Sequence, residues 1–197
     1  MLTTSKVKTP LGMRTLDFWP ITEEPDNGHP KYAASVNLGA AVKGYLSVTT
    51  NTASIPGDDI LQLEDEIFAG AQLDSETTMS DLQINAQLFG HAFSETDGED
   101  SKSSDRAILC GISFIEPILR KDKVTVYRAT CLRKAIPLAS SEKQEADTRK
   151  FGELNPKMNA VSFKVMTDNL NSWRVRNDFA SEAEANAFIK KTFGAAT

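Results

Sequence analysis

The clearest periodicity in the chain lies in its last third. Val161, Phe163 and Val165 alternate with Ser162, Lys164 and Met166, so the run 158–167 predicts a strand with one apolar face. Asp168-Asn-Leu-Asn171 then turns the chain into a second strand, 172–179. There Trp173 and Val175 alternate with Arg174 and Arg176, giving one apolar and one basic face. The period then changes from two to 3.6. Ala185, Phe188, Ile189, Thr192 and Phe193 fall on one face of a helix that Ser181 and Glu184 can open with a capping box and Gly194 can end. A helix this amphipathic predicts a sheet beneath it.

The remaining runs are mostly strand-like. Leu16 to Ile21 has strand character, and Pro25-Asp-Asn-Gly-His-Pro30 is a turn-rich loop. In 40–50, Val42, Gly44, Leu46 and Val48 alternate with Lys43, Tyr45, Ser47 and Thr49, predicting a strand exposed on one face. A second strand over 60–68 would complete a long hairpin with a protruding tip at about 51–59, where Ile55-Pro-Gly57 signals a turn. A short strand is expected at 77–81, then a helix over 84–93 with Leu88, Phe89, Ala92 and Phe93 on its apolar side. The polar, acidic stretch 94–105 reads as an exposed loop without fixed order. Two further strands, 108–119 and 124–136, are joined at Lys121-Asp122. A two-residue turn there sets Arg120 opposite Lys123, Cys110 opposite Arg133 and Cys131 opposite Ile112. The cysteines are then diagonal, about 7–8 Å apart at Cα, which predicts two free thiols.

These elements add up to a mostly β chain of the α+β kind, an antiparallel sandwich or barrel flanked by one or two helices. With 197 residues, one domain over 15–197 is expected, preceded by a flexible polar arm over 1–14. No apolar run approaches the roughly 20 residues of a membrane span, and the polar start lacks the apolar centre of a signal peptide. A cytosol-like compartment is expected.

Charge changes the picture more than composition does. The net charge is −5, which argues against a general nucleic-acid binder. Its distribution is uneven: thirteen acidic residues from Asp58 to Asp105 face the single base Lys102, predicting one strongly negative surface. Catalytic patterns are missing. There is no Cys-x-x-Cys, His-Glu-x-x-His, Gly-x-Ser-x-Gly or phosphate-loop glycine pattern. Of the two histidines, His29 falls in a loop and His91 on the apolar helix, where a structural role is expected. Asp58-Asp59 and Glu64-Asp-Glu66 lack the spacing and glycine of a calcium loop. Neither an enzyme nor a metal or cofactor site is expected.

The order of segments carries a resemblance. Leu88-Phe-Gly-His-Ala-Phe93, Gly111-Ile-Ser-Phe-Ile-Glu116, Val126-Tyr-Arg-Ala-Thr130, the block Glu145 to Glu153, Trp173 to Phe179 and the helix Ser181 to Phe193 follow one another over nearly the whole chain. Together they resemble the major tail proteins, or tail tube proteins, of bacteriophages with long non-contractile tails. Lys121-Asp122 departs from the Asn-Gly expected at the hairpin turn, and the acidic loop 94–105 is unusual.

The resemblance implies a structural virion protein of the tail, assembled in the host bacterial cytoplasm. It implies hexameric rings that stack into a hollow tube enclosing a tape-measure protein and meeting terminator and baseplate proteins. Double-stranded DNA would pass through the lumen without specific binding. In that setting Glu64, Asp65, Glu66, Asp74 and Glu76 are candidates for the lumen wall, where acidic side chains repel a polyanion. Arg14, Asn51, Ile55, Pro56, Asp58, Arg174 and Arg176 are candidates for contacts between protomers or rings. The competing expectations are another ring-forming tail component (a terminator, a baseplate hub or a contractile-system tube) and a cell-surface β module that binds glycan.

Overall fold

Two central strands organise the molecule because each is apolar on both faces. In the computed structural model the backbone is described over 8–57, 60–78, 81–142 and 159–194, with side chains except at residues 8, 53–57 and 60–65. In chain order the strands before the first helix are β1 Lys8–Pro10, β2 Arg14–Glu23, β3 Lys31–Tyr32, β4 Val36–Asn37, β5 Ala41–Gly57 and β6 Ile60–Thr77. Helix α1, Leu82–Phe89, is followed by β7 Ala92–Ser94, β8 Gly98–Asp100, β9 Cys110–Arg120, β10 Thr125–Pro137, β11 Asn159–Met166, β12 Arg174–Phe179 and helix α2 Glu182–Thr192. Among the described residues ten strands form one antiparallel sheet running β3-β2-β9-β10-β11-β6-β5, with β1 alongside β9, β12 alongside β10 and β4 alongside β2.

The sheet bends so that its two halves share one core. Leu16 and Phe18 of β2, Ile112 and Phe114 of β9, Leu73 of β6 and Phe163 and Val165 of β11 meet there, with Leu88 and Phe89 of α1 packed among them. The opposite face of β9 and β10 carries a second cluster. Trp19, Ile115, Ala129 and Cys131 are covered there by Ala185, Ile189 and Phe193 from α2 and its C-terminus. Alternation along β2, β9 and β10 thus sends every second side chain to one cluster and the rest to the other. A mostly β, α+β architecture with two helices is what the periodicity predicts.

The capping box of α2 forms as read. Ser181 Oγ accepts from Glu184 N at 3.3 Å, and the Glu184 carboxylate accepts from Ser181 N at 3.3 Å and Ala180 N at 3.1 Å.

The turn between β9 and β10 differs from expectation by one residue. The loop is Lys121-Asp122-Lys123, closed by Arg120 N to Val124 O and Lys123 N to Arg120 O, both 2.9 Å. Lys123 takes φ +61, the left-handed residue of a three-residue hairpin. Leu119 therefore faces Thr125 and Cys131 faces Ser113, while a register shift after Leu132 sets Cys110 opposite Ala135. A slip of one residue reverses faces. Both thiols are free and buried, and the reason is simpler than a diagonal: Cys110 lies in the first cluster and Cys131 in the second.

The middle region also departs from its expected boundaries. Asp81 caps α1 by accepting from Gln83 N at 2.8 Å, and the helix ends at Phe89 rather than Phe93. Gly90 ends it with φ +74, and a Cβ at this position would sit 2.1 Å from the Arg106 carbonyl oxygen, so only glycine fits. Residues 92–100, expected to fall partly in the helix and partly in an unordered loop, instead form the β7–β8 ladder, Ala92 opposite Asp100 and Ser94 opposite Gly98. Of the short strand expected at 77–81, Thr77 is the last residue of β6, Thr78 is a bend and Asp81 is the helix cap, while residues 79 and 80 lie outside the described residues.

At the arm, Lys8–Pro10 pairs with Ile118–Arg120 and Arg14 already belongs to β2, while Leu11 N between them donates to Pro117 O at 2.9 Å, so residues 8–14 run along the sheet. Residues 1–7 and the block 145–153 lie outside the described residues.

Candidate functional site

The sheet ends in a long ribbon, and among the described residues no strand pairs with its outer edge. β5 and β6 pair from Ala41 opposite Thr77 to Gly57 opposite Ile60, so the expected loop at 51–59 is strand as far as Gly57. The protruding hairpin holds, though both strands run further than their patterns suggest. Its root is welded to β11 by pairs such as Leu73 with Phe163. Among the described residues β5 has no strand on its other edge.

The ribbon exposes apolar side chains: Val42 is 51% accessible, Tyr45 65%, Val48 47% and Ile67 59%. The alternation in 40–50 predicts one covered face, and only Leu46 of that set packs against the core. β5 is the last strand of the sheet, so its apolar side has little to rest on.

The ribbon does not gather the five candidate acids on one face. Thr49 pairs with Gly70 and Thr50 with Phe68, which leaves Ala69 as an extra residue. On the body side of this bulge Leu73 and Ser75 point inward, so Asp74 and Glu76 point outward. Beyond it Phe68 is the inward residue, stacked on Trp173 at 4.6 Å, and the exposed Glu66 shares its side. Glu64 and Asp65 pair through the backbone with Ser54 and Ala53, and their side chains lie outside the described residues.

Asp74 and Glu76 border an open groove of about 410 Å³ with Lys43, Tyr45 and Ser162. Ser162 Oγ donates to Asp74 at 2.5 Å and Gln72 Nε2 at 2.8 Å, which holds that carboxyl below its ordinary pKa. Lys43 answers Glu76 at 3.7 Å.

The candidate contact residues are scattered. Arg14 donates to Glu182 in the first turn of α2 at 3.1 Å, so its guanidinium is engaged within the chain. Asn51 is exposed opposite Ile67. Ile55 and Pro56 pair through the backbone with Leu63 and Leu61, while their side chains, and all of Asp58, lie outside the described residues. Arg174 lies over the Trp173 ring, its guanidinium carbon 4.1 Å from the centroid, and Trp173 is stacked on its far neighbour Phe68. Burial and the neighbouring Arg176 lower the Arg174 pKa. Arg176 is exposed opposite Thr130, one step from the fork in which Arg128 donates to both oxygens of Asp178 at 2.8 and 3.2 Å.

Both histidines are bound to carboxylates. His29 Nδ1 lies 2.7 Å from Asp168 Oδ2, and the other oxygen of this buried carboxylate accepts from Leu170 N at 3.0 Å and Ser172 N at 2.8 Å. Burial pushes the Asp168 carboxyl up, but these bonds outweigh it and hold its pKa below the ordinary value.

His91 is the residue the pattern misplaces. It lies past the end of α1, about nine-tenths buried, with Nδ1 2.9 Å from Asp105 and Nε2 3.3 Å from Glu142 and 3.9 Å from Glu99. Burial alone would lower its pKa; the bonds to Asp105 and Glu142 and the charges of Glu142 and Glu99 raise it overall. The signal in the sequence was Gly90 as a helix end, which frees His91 from the helical face.

No helix among the described residues is long and apolar enough to cross a membrane. No protein-family model matches the chain, and a search among curated proteins finds no match to it.

Proposed function

We propose that this chain is a self-assembling structural subunit, a tail tube protein that builds stacked hexameric rings around a lumen. The observation that carries this reading is the β5–β6 ribbon, which combines a strand edge unpaired among the described residues with the exposed Val42, Tyr45, Val48 and Ile67. A long apolar edge invites pairing with another chain unless something covers it. In a ring each ribbon lies against the next protomer's sheet, so every edge is covered and the same contact repeats until the circle closes. Stacking is a second head-to-tail contact that does not close and therefore grows a filament.

In this arrangement the outward face with Asp74 and Glu76 is the part of the acidic set assigned to the lumen, where it discourages phosphate contacts as DNA passes. The tape-measure, terminator and baseplate proteins would be its partners, and the virion tail its location. Negative-stain electron microscopy of the concentrated protein tests the reading. Hollow tubes of uniform width are expected. Isolated rings would favour a terminator or hub, and a monomer at all concentrations would overturn assembly.

A further inference from the structure

The geometry points to a divalent-cation site, with zinc as the preferred ion, formed by His91 Nε2 and the carboxylates of Glu99 and Glu142. This inference stands apart from the assembly reading. The three donors come from three separate places: the turn after α1, strand β8 and the segment after the 3-10 turn Ala139–Ser141. Their donor atoms all lie within 4.8 Å of one another. Zinc bonds of about 2.0–2.1 Å in a tetrahedron hold donors roughly 3.3–3.4 Å apart. The observed 3.3 Å from Nε2 to Glu142 nearly matches, while the 3.9 Å to Glu99 and the separation of up to 4.8 Å within the set would close by about 0.5–1.5 Å through rotation of the glutamate side chains.

Surrounding groups orient the donors. Asp105 lies 2.9 Å from Nδ1 and can accept from it, so a metal would take the place of the proton on Nε2 that faces Glu142, the carboxylate–histidine–metal relay. Asp105 is itself held by Lys102 N at 2.8 Å. Asn85 Nδ2 donates to Glu99 at 3.1 Å and Glu142 at 3.0 Å, bringing the two carboxylates side by side.

Charge argues in the same direction. Three carboxylates surround one imidazole, and of the three Lys102 acts only on Asp105, so even a protonated ring leaves a negative charge uncompensated on the Glu99–Glu142 side. Among the described residues no lysine or arginine side chain pairs with Glu99 or Glu142. A dication supplies that balance, and its borderline-soft character suits a mixed nitrogen and oxygen donor set. With three protein donors, water completes the fourth position. The ion would clip α1 and the β7–β8 ladder to the chain leaving β10.

Zinc and cobalt(II) titrations of chelator-treated full-length protein test the site, followed by calorimetry and visible absorption. One equivalent is expected to bind, with cobalt giving the intense visible bands of four-coordination. At a hundredfold excess over the dissociation constant, zinc should raise Tm by about 5–10 °C. Glu142→Gln and His91→Gln should abolish this binding, and Asp105→Asn should weaken it about 10- to 100-fold. Glu95→Gln, an exposed charge in the same loop, should leave it unchanged.

Because the chain has two histidines, nitrogen-15 spectra of the wild-type protein give a readout that needs no variant. Zinc should shift Nε2 of one ring and leave the other, His29, in place. Absence of saturable binding, binding that survives both Glu142→Gln and His91→Gln, or zinc shifts confined to His29 would each overturn the site.

Discussion

Phe193 lies flat on Trp19, with ring centroids 4.8 Å apart and planes 11° from parallel, and it occupies a slot that exists because residue 111 has no side chain. Tyr32 closes the slot edge-on at 4.7 Å, and Trp19 is itself fixed by donating Nε1 to Ser113 Oγ at 2.9 Å. This seat anchors the C-terminal end of α2. Phe193→Ala should cost about 3–5 kcal/mol, read as a lower urea midpoint with little change in slope. Gly111→Ala should cost about 1–3 kcal/mol, because the added carbon would stand 2.3 Å from Phe193 Cε1. If Gly111→Ala matches wild type, the seat is looser than its geometry indicates.

The other end of the helix has a smaller, separable contribution. Ser181→Ala removes the acceptor for Glu184 N and should lower stability by about 0.5–2 kcal/mol, while Ser181→Gly should cost only a few tenths. Equilibrium unfolding of the two variants gives the comparison.

Asp168 should make the protein acid-sensitive. Its carboxyl titrates below the ordinary value of about 3.9, so its stabilisation is complete above that pH and fades as pH falls through the folded pKa. Asp168→Asn should cost about 1.5–3 kcal/mol at neutral pH and flatten this part of the acid limb. Asp17 and Glu116, whose carboxyls burial pushes up, contribute the opposite slope. The difference between wild type and variant across pH 2–7 therefore isolates Asp168, and parallel curves would refute the assignment.

The thiols should be silent in the folded protein. Burial raises both, Cys131 to about 12, so little thiolate exists at neutral pH. A chromogenic disulfide reagent should react with neither cysteine until denaturant is added and then with both. Fast labelling without denaturant would contradict their placement in two sealed clusters.

Assembly should depend on the ribbon's apolar surface more than on its charges. Val48→Asp or Ile67→Asp changes an exposed position and should leave the monomer's stability within about 0.5 kcal/mol. Either should abolish tubes, monitored by sedimentation and microscopy. Arg14→Ala should act weakly, since it removes one exposed pair with Glu182 worth at most about 1 kcal/mol. Unimpaired tubes from both ribbon variants would remove the ribbon from the contact.

What could be read from the residues follows from the range of the forces involved. The Ser181–Glu184 box and the alternation of Val161, Phe163 and Val165 are local, so they were legible. The register of β9 against β10 turned on Lys123 adopting φ +61, a choice that a lysine does not announce. The acidic stretch hid its order because Asp105 and Glu99 meet the His91 ring only when Gly90 ends the helix before it. The division of the candidate acids came from Ala69, an inserted residue with no sequence signature, whose effect is to exchange inside for outside along β6.

The seat of Phe193 also sets an order in time. Synthesis proceeds from β1 toward α2, so Trp19, Gly111 and Ile115 are present on the growing chain before the ring that shields them. At about 5–20 residues per second, Trp19 waits on the order of ten seconds or more for its stacking partner. The second cluster is therefore the last layer to close, and until it does the nascent sheet presents a sticky aromatic face to the crowded cell.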